Sequence, residues 1–141
     1  RHAGWLHQRG HRVVGVDVDP VLIAAAQEDH PGPAFLVGDL AELDLPSQGI
    51  EADFDIILSA GNVMSFLAPS TRVDTLRRLK DHLTSGGRLV TGFGAGRGYD
   101  FTDFLSDAQV AELTPVLAFS TWDLRPWQPD SDFLVAVLTT A

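Results

Sequence analysis

The chain predicts an α/β fold, with a mostly parallel sheet, helices on both faces and an antiparallel hairpin at its carboxyl end. Three observations carry this expectation. Short apolar runs alternate with segments of helical spacing, the pattern that βαβ units leave in a sequence. Val13-Val14-Gly15-Val16-Asp17 is a near-continuous apolar run, as expected of a strand buried on both faces of a parallel sheet. The last two apolar runs are joined only by Arg125-Pro126-Trp127-Gln128-Pro129-Asp130-Ser131, too short for a helical crossover, so that pair is antiparallel.

Each element follows from local chemistry. His2 to Arg9 has helical character, and Gly10 sits where a glycine ends a helix. After the strand at 13–17, Asp19 caps a helix that Pro20 opens at its first position. That helix runs to Asp29 and is expected to bury Val21, Leu22, Ala25 and Ala26; His30-Pro31-Gly32-Pro33 stops it. Ala34–Val37 is the next strand, followed after Gly38-Asp39 by a polar stretch at 41–52. Asp53–Ser59 is a third strand. Ser70 is expected to cap a helix with Val73, Leu76, Leu79 and Leu83 on one face and Arg77, Arg78 and Asp81 on the solvated one. Ser85-Gly86-Gly87 ends it, and Arg88–Phe93 is a fourth strand. Ser106-x-x-Gln109 reads as a capping box opening a short helix through Leu113. The hairpin strands are then Val116–Leu124 and Asp132–Thr139.

Composition narrows the function. The 141 residues suit one domain with one substantial core. A net charge of −9 argues against nucleic acid, because phosphate contacts need a basic face. The absence of cysteine excludes disulfides, thiolate nucleophiles and Cys-ligated zinc. No apolar run approaches the roughly 18 residues of a membrane span, and no signal peptide is visible, so a cytoplasmic protein without membrane partners is expected. No metal site is expected either: His7 and His11 have i, i+4 spacing, but Gly10 ends the helix between them.

Polar or acidic positions recur at the carboxyl ends of successive strands: Asp17, Asp39 and Ser59-Ala60-Gly61-Asn62. An acid there stands in the crevice where open α/β sheets bind ligands, placed to accept from ribose hydroxyls. The order and spacing of these positions resemble the class I S-adenosylmethionine-dependent methyltransferases over essentially the whole chain. The run Leu83-x-x-Gly86-Gly87-Arg88-Leu89-Val90 is similar to that family's turn into its fifth strand, and the terminal hairpin to its distinguishing antiparallel pair. The resemblance implies a Rossmann-like fold and S-adenosyl-L-methionine as cofactor. It implies that Asp17 holds the ribose hydroxyls, with Val18 against the adenine. Asp39, followed by Leu40, would receive the adenine amino group. Ser59, Ala60, Gly61 and Asn62 would pass beneath the methionine part.

Two features depart from this pattern. The family's first strand and glycine-rich loop have no counterpart here, since Arg1 and His2 resemble the residues just after that loop. The chain is therefore expected to be one methyltransferase-like domain, truncated at its amino end. The missing strand would leave the edges at Val13–Asp17 and Phe54–Ser59 unpaired. Secondly, Gly92-Phe93-Gly94-Ala95-Gly96-Arg97-Gly98, with Asp123 ending a later strand, mimics an NAD(P) fingerprint. Its spacing does not fit G-x-G-x-x-G, and a loop over a substrate mouth or a plain flexible connection fits better. Trp122 and Trp127 are candidates to line an acceptor pocket or to cover the core. No Asn-Pro-Pro-Tyr-type sequence follows Ser59, which in family terms favours a small-molecule acceptor. The sequence thus reads as a methyltransferase working by in-line displacement, with no catalytic base assigned. A non-catalytic or degenerate cofactor-binding domain is the alternative.

Overall fold

The computed structural model describes residues 1–140. The chain forms two compact units, Arg1–Leu43 and the remainder from Asp44.

The first unit holds α1 (His2–Gln8), β1 (Val14–Asp17), α2 (Pro20–Asp29) and β2 (Ala34–Val37). β1 and β2 pair in parallel, Val14 beside Ala34 and Asp17 beside Val37. The helix start is as expected: Asp19 accepts the N–H of Val21 at 2.8 Å, and Pro20 stands at the first position. That cap stabilises the helix by about 1 kcal/mol. The buried face differs from the expectation. Ile23 is buried, with Ala26 and His30 half-buried on its stripe, whereas Val21, Leu22 and Ala25 are exposed. The first turns of α2 are apolar on nearly every side, so spacing alone does not select a face.

The second unit holds β3 (Phe54–Ser59), α3 (Arg72–Asp81), β4 (Leu83–Gly94), α4 (Phe101–Val110), β5 (Thr114–Phe119) and β6 (Phe133–Thr139). Its sheet has the order β3-β4-β6-β5. β3 and β4 are parallel; β6 runs antiparallel to both β4 and β5. β6 lies between two strands and buries Leu134 to Leu138 without a break. Pro115, which cannot donate to a ladder, sits on the edge strand β5 next to a register shift. Leu89, Thr91 and Phe93 alternate on one buried face of β4. Phe93 packs there against Phe104 with ring centroids 5.2 Å apart, and Tyr99 and Phe101 complete the cluster.

Several boundaries differ from the sequence expectation, four of them instructively. Ser70 does not cap α3; it lies in a 3-10 turn, Pro69–Thr71, in which the Thr71 hydroxyl donates to the Ala68 carbonyl. Leu83 belongs to β4, not to the helix: it pairs with Phe54, and the ladder shifts before resuming at Ile56–Arg88. The glycines behind it form an irregularity inside the strand. A Cβ on Gly87 would lie 2.9 Å from the Thr84 carbonyl oxygen and 3.1 Å from that of Phe54, so backbone crowds it from two sides. Ser106 falls in the middle of α4 and caps nothing; the stripe Phe101, Phe104, Ala108 starts that helix a turn and a half earlier. β5 ends at Phe119 rather than Leu124, because Ser120 N–H donates back to the Arg125 carbonyl at 2.8 Å and closes a turn. Asp123 is inside that turn, hydrogen-bonded to the Thr121 hydroxyl, so it ends no strand.

Candidate functional site

In the first unit, two acids stand at the carboxyl ends of adjacent parallel strands. Asp17 is the last residue of β1, and Asp39 follows β2 by two residues. The Gly38 N–H donates to the Asp17 carbonyl at 2.9 Å, holding the two strand ends together. Each side chain forms an Asx turn: Asp17 Oδ1 accepts the N–H of Asp19, and Asp39 Oδ1 that of Ala41, both at 2.9 Å. One oxygen of each carboxylate is thereby fixed. The other has no hydrogen-bond donor among the described residues. Val18 is exposed beside Asp17, and Leu40, half-buried, opens a 3-10 turn after Asp39.

In the second unit, β3 ends at Ser59, which is buried and lies in register with Thr91 of β4. Neither hydroxyl has a hydrogen-bond partner among the described residues. Orphaned hydroxyls inside a protein are uncommon, and each calls for a physical explanation. Beyond Ala60, Gly61 and Asn62 both take the left-handed conformation, φ 82° and 64°, and turn the chain sharply. Asn62 Oδ1 accepts the N–H of Gly94 at 2.9 Å, and its carbonyl accepts from both the N–H and the hydroxyl of Ser65. The following 3-10 turn, Val63–Phe66, anchors through fully buried Met64 and leaves the Phe66 ring exposed.

The glycine run is not a free loop. Gly92 and Gly94 belong to β4. The segment beyond is tied by Ala95 N–H to the Asp132 carbonyl at 2.8 Å and by Arg72 Nη2 to the Gly98 carbonyl at 2.7 Å. The Arg72 guanidinium lies 3.8 Å over the buried Tyr99 ring, whose hydroxyl donates to Asp107 Oδ2 at 2.6 Å. Burial, and then the Asp107 carboxylate, push the Tyr99 phenol above its ordinary range. Sequence reasoning missed this network, Thr91 and the Asn62–Gly94 bond. Only the two Asx turns had a local signature.

The first unit sets acids at the ends of parallel strands, and the second carries an antiparallel terminal pair. A family model described as "Methyltransferase domain" matches residues 1–87. A TehB-like SAM-dependent methyltransferase from Corynebacterium glutamicum is 46% identical, with a TM-score of 0.94 over 100% of this chain and 74% of that one. The CcbJ methyltransferase from Streptomyces caelestis is 18% identical, with a TM-score of 0.85 over 99% of this chain and 84% of that one. The 1,6-didemethyltoxoflavin-N1-methyltransferase from Burkholderia thailandensis is 21% identical, with a TM-score of 0.70 over 99% of this chain and 65% of that one. A comparison with curated protein sequences finds no match. The chain belongs to the S-adenosylmethionine-dependent methyltransferases.

Proposed function

We propose that this protein methylates a small-molecule acceptor and that residues 1–141 act as one methyltransferase-like domain. The observation that carries the reading is the pair of strand-end acids with one oxygen each left open. Asp17 accepts the ribose hydroxyls, with Val18 alongside the adenine, and Asp39, followed by Leu40, accepts the adenine amino group. Ser59, Ala60, Gly61 and Asn62 form the bed for the methionine part, where the orphan Ser59 hydroxyl supplies an uncommitted donor.

The cofactor supplies an activated methyl group on a sulfonium. The chain's own task is to align an acceptor atom with it and to keep water out. The exposed Phe66 and Trp122 rings of the second unit offer apolar surface to an acceptor. The test is calorimetric titration with S-adenosylhomocysteine, followed by mass spectrometry of a small-molecule panel incubated with S-adenosylmethionine. Binding of S-adenosylhomocysteine and a mass gain of one methylene on a panel member are expected. Methylation of a protein or nucleic acid alone would overturn the small-molecule reading.

A further inference from the structure

We infer that the acceptor is a planar molecule bearing an acidic group, its ring on Trp122 and its acid on Arg97; this rests on the methyltransferase reading above. The inference comes from one face of β4. Gly92 and Gly94 are alternate residues, so both would point side chains to the face opposite Thr91 and Phe93. Trp122 closes over the first: a Cβ on residue 92 would collide with Trp122 Cζ2. Arg97 folds over the second: a Cβ on residue 94 would lie 3.3 Å from Arg97 Nε and 3.6 Å from Asn62 Oδ1. The two glycines thus strip the carboxyl end of the strand, and an indole and a guanidinium occupy the cleared face. Alternate residues of a strand stand roughly 7 Å apart, about the span from the centre of an aryl ring to a cation beside its acid group.

The chemistry of both side chains is unspent. Trp122 is 47% exposed and packs only loosely on Phe133, at 6.5 Å between centroids. Arg97 is exposed and has no ion pair among the described residues. An aromatic face takes a planar ring, and a guanidinium fork takes a carboxylate or similar acid in bidentate fashion. Asn62 links this face to the proposed methionine bed, since it meets Gly94 from the loop after β3.

The probe is benzoate, titrated by saturation-transfer NMR in the presence of S-adenosylhomocysteine, with phenol and cyclohexanecarboxylate as controls. Benzoate should bind at least about tenfold more tightly than either control, and Arg97→Met and Trp122→Leu should each weaken it by about tenfold or more. Trp122→Phe keeps a ring and should retain most of the affinity, which separates loss of stacking from loss of fold. Wild-type protein that binds S-adenosylhomocysteine but shows no preference for benzoate would overturn the inference and leave the methyltransferase reading standing. Failure to bind S-adenosylhomocysteine would instead overturn that reading. If Arg97→Met weakens S-adenosylhomocysteine and not benzoate, Arg97 belongs to the cofactor and the inference is wrong.

Discussion

The Asn62 side-chain oxygen accepts the N–H of Gly94 at 2.9 Å, tying the loop after β3 to the last residue of β4. The bond needs Asn62 in the left-handed region, which asparagine tolerates and alanine does not. Asn62→Ala should therefore lose about 2–4 kcal/mol, from a stranded N–H and backbone strain together. Asn62→Gly relieves the strain but not the lost acceptor and should cost less. Urea denaturation of the two variants checks the order.

His82 is buried and spends both ring nitrogens: Nε2 accepts the N–H of Leu45 at 3.0 Å, and Nδ1 donates to the Arg78 carbonyl 2.6 Å away. Only the neutral Nδ1–H tautomer satisfies both. His82→Phe keeps the volume but strands one donor and one acceptor, an expected loss of about 2–5 kcal/mol. An unchanged urea midpoint would mean that water replaces the ring at both groups.

Tyr99 is the single tyrosine, so its ionisation is read directly in the ultraviolet. Burial and the neighbouring Asp107 carboxylate raise its phenol above the ordinary value near 10. Above pH 10 the unfolded chain releases this proton and the folded one keeps it, so the native state binds more protons and stability falls as pH rises. No tyrosinate absorbance is expected until the protein unfolds in alkali. Tyr99→Phe removes this source of alkaline instability, and at neutral pH it costs about 1.5–3 kcal/mol for the lost bond to a carboxylate.

Asp39 lies one strand over from Asp17, and in the proposed site its second oxygen accepts the adenine amine. Asp39→Asn retains an acceptor and should weaken S-adenosylhomocysteine less than Asp39→Ala does. A folded Asp39→Ala protein with undiminished affinity would remove this residue from the site.

Strands were legible because their signals are local: apolar runs for β1 to β4, with Asp-Pro at the start of α2. The antiparallel pair was expected from a connection at 125–131, but β5 ends at Phe119 and residues 120–132 join it to β6, so the expectation held although the length it rested on did not. Helix starts were less so. Ser70 and Ser106 both carry capping chemistry, yet α3 and α4 begin where Leu76 and the Phe93–Phe104 cluster find a surface to bury against, and that burial outweighs a cap of about 1 kcal/mol. The acid positions of the candidate site were readable as strand ends. The placement of Trp122 and Arg97 over Gly92 and Gly94, and of Thr91 beside Ser59, was not readable. The β3–β4 register and the turn at 120–125 set it, and neither has a sequence period.

The most direct test of the central claim is calorimetry of S-adenosylhomocysteine with wild-type protein and with Asp17→Ala. Asp17 ends β1 with Oδ1 fixed by the Asp19 N–H and its second oxygen open. A hydrogen bond to a charged acceptor is worth about 1.5–3 kcal/mol, so the variant should bind about 10- to 150-fold more weakly while its circular dichroism is unchanged. Equal affinity in a folded variant, or no binding by the wild type, would contradict the assignment of the cofactor to these strand ends.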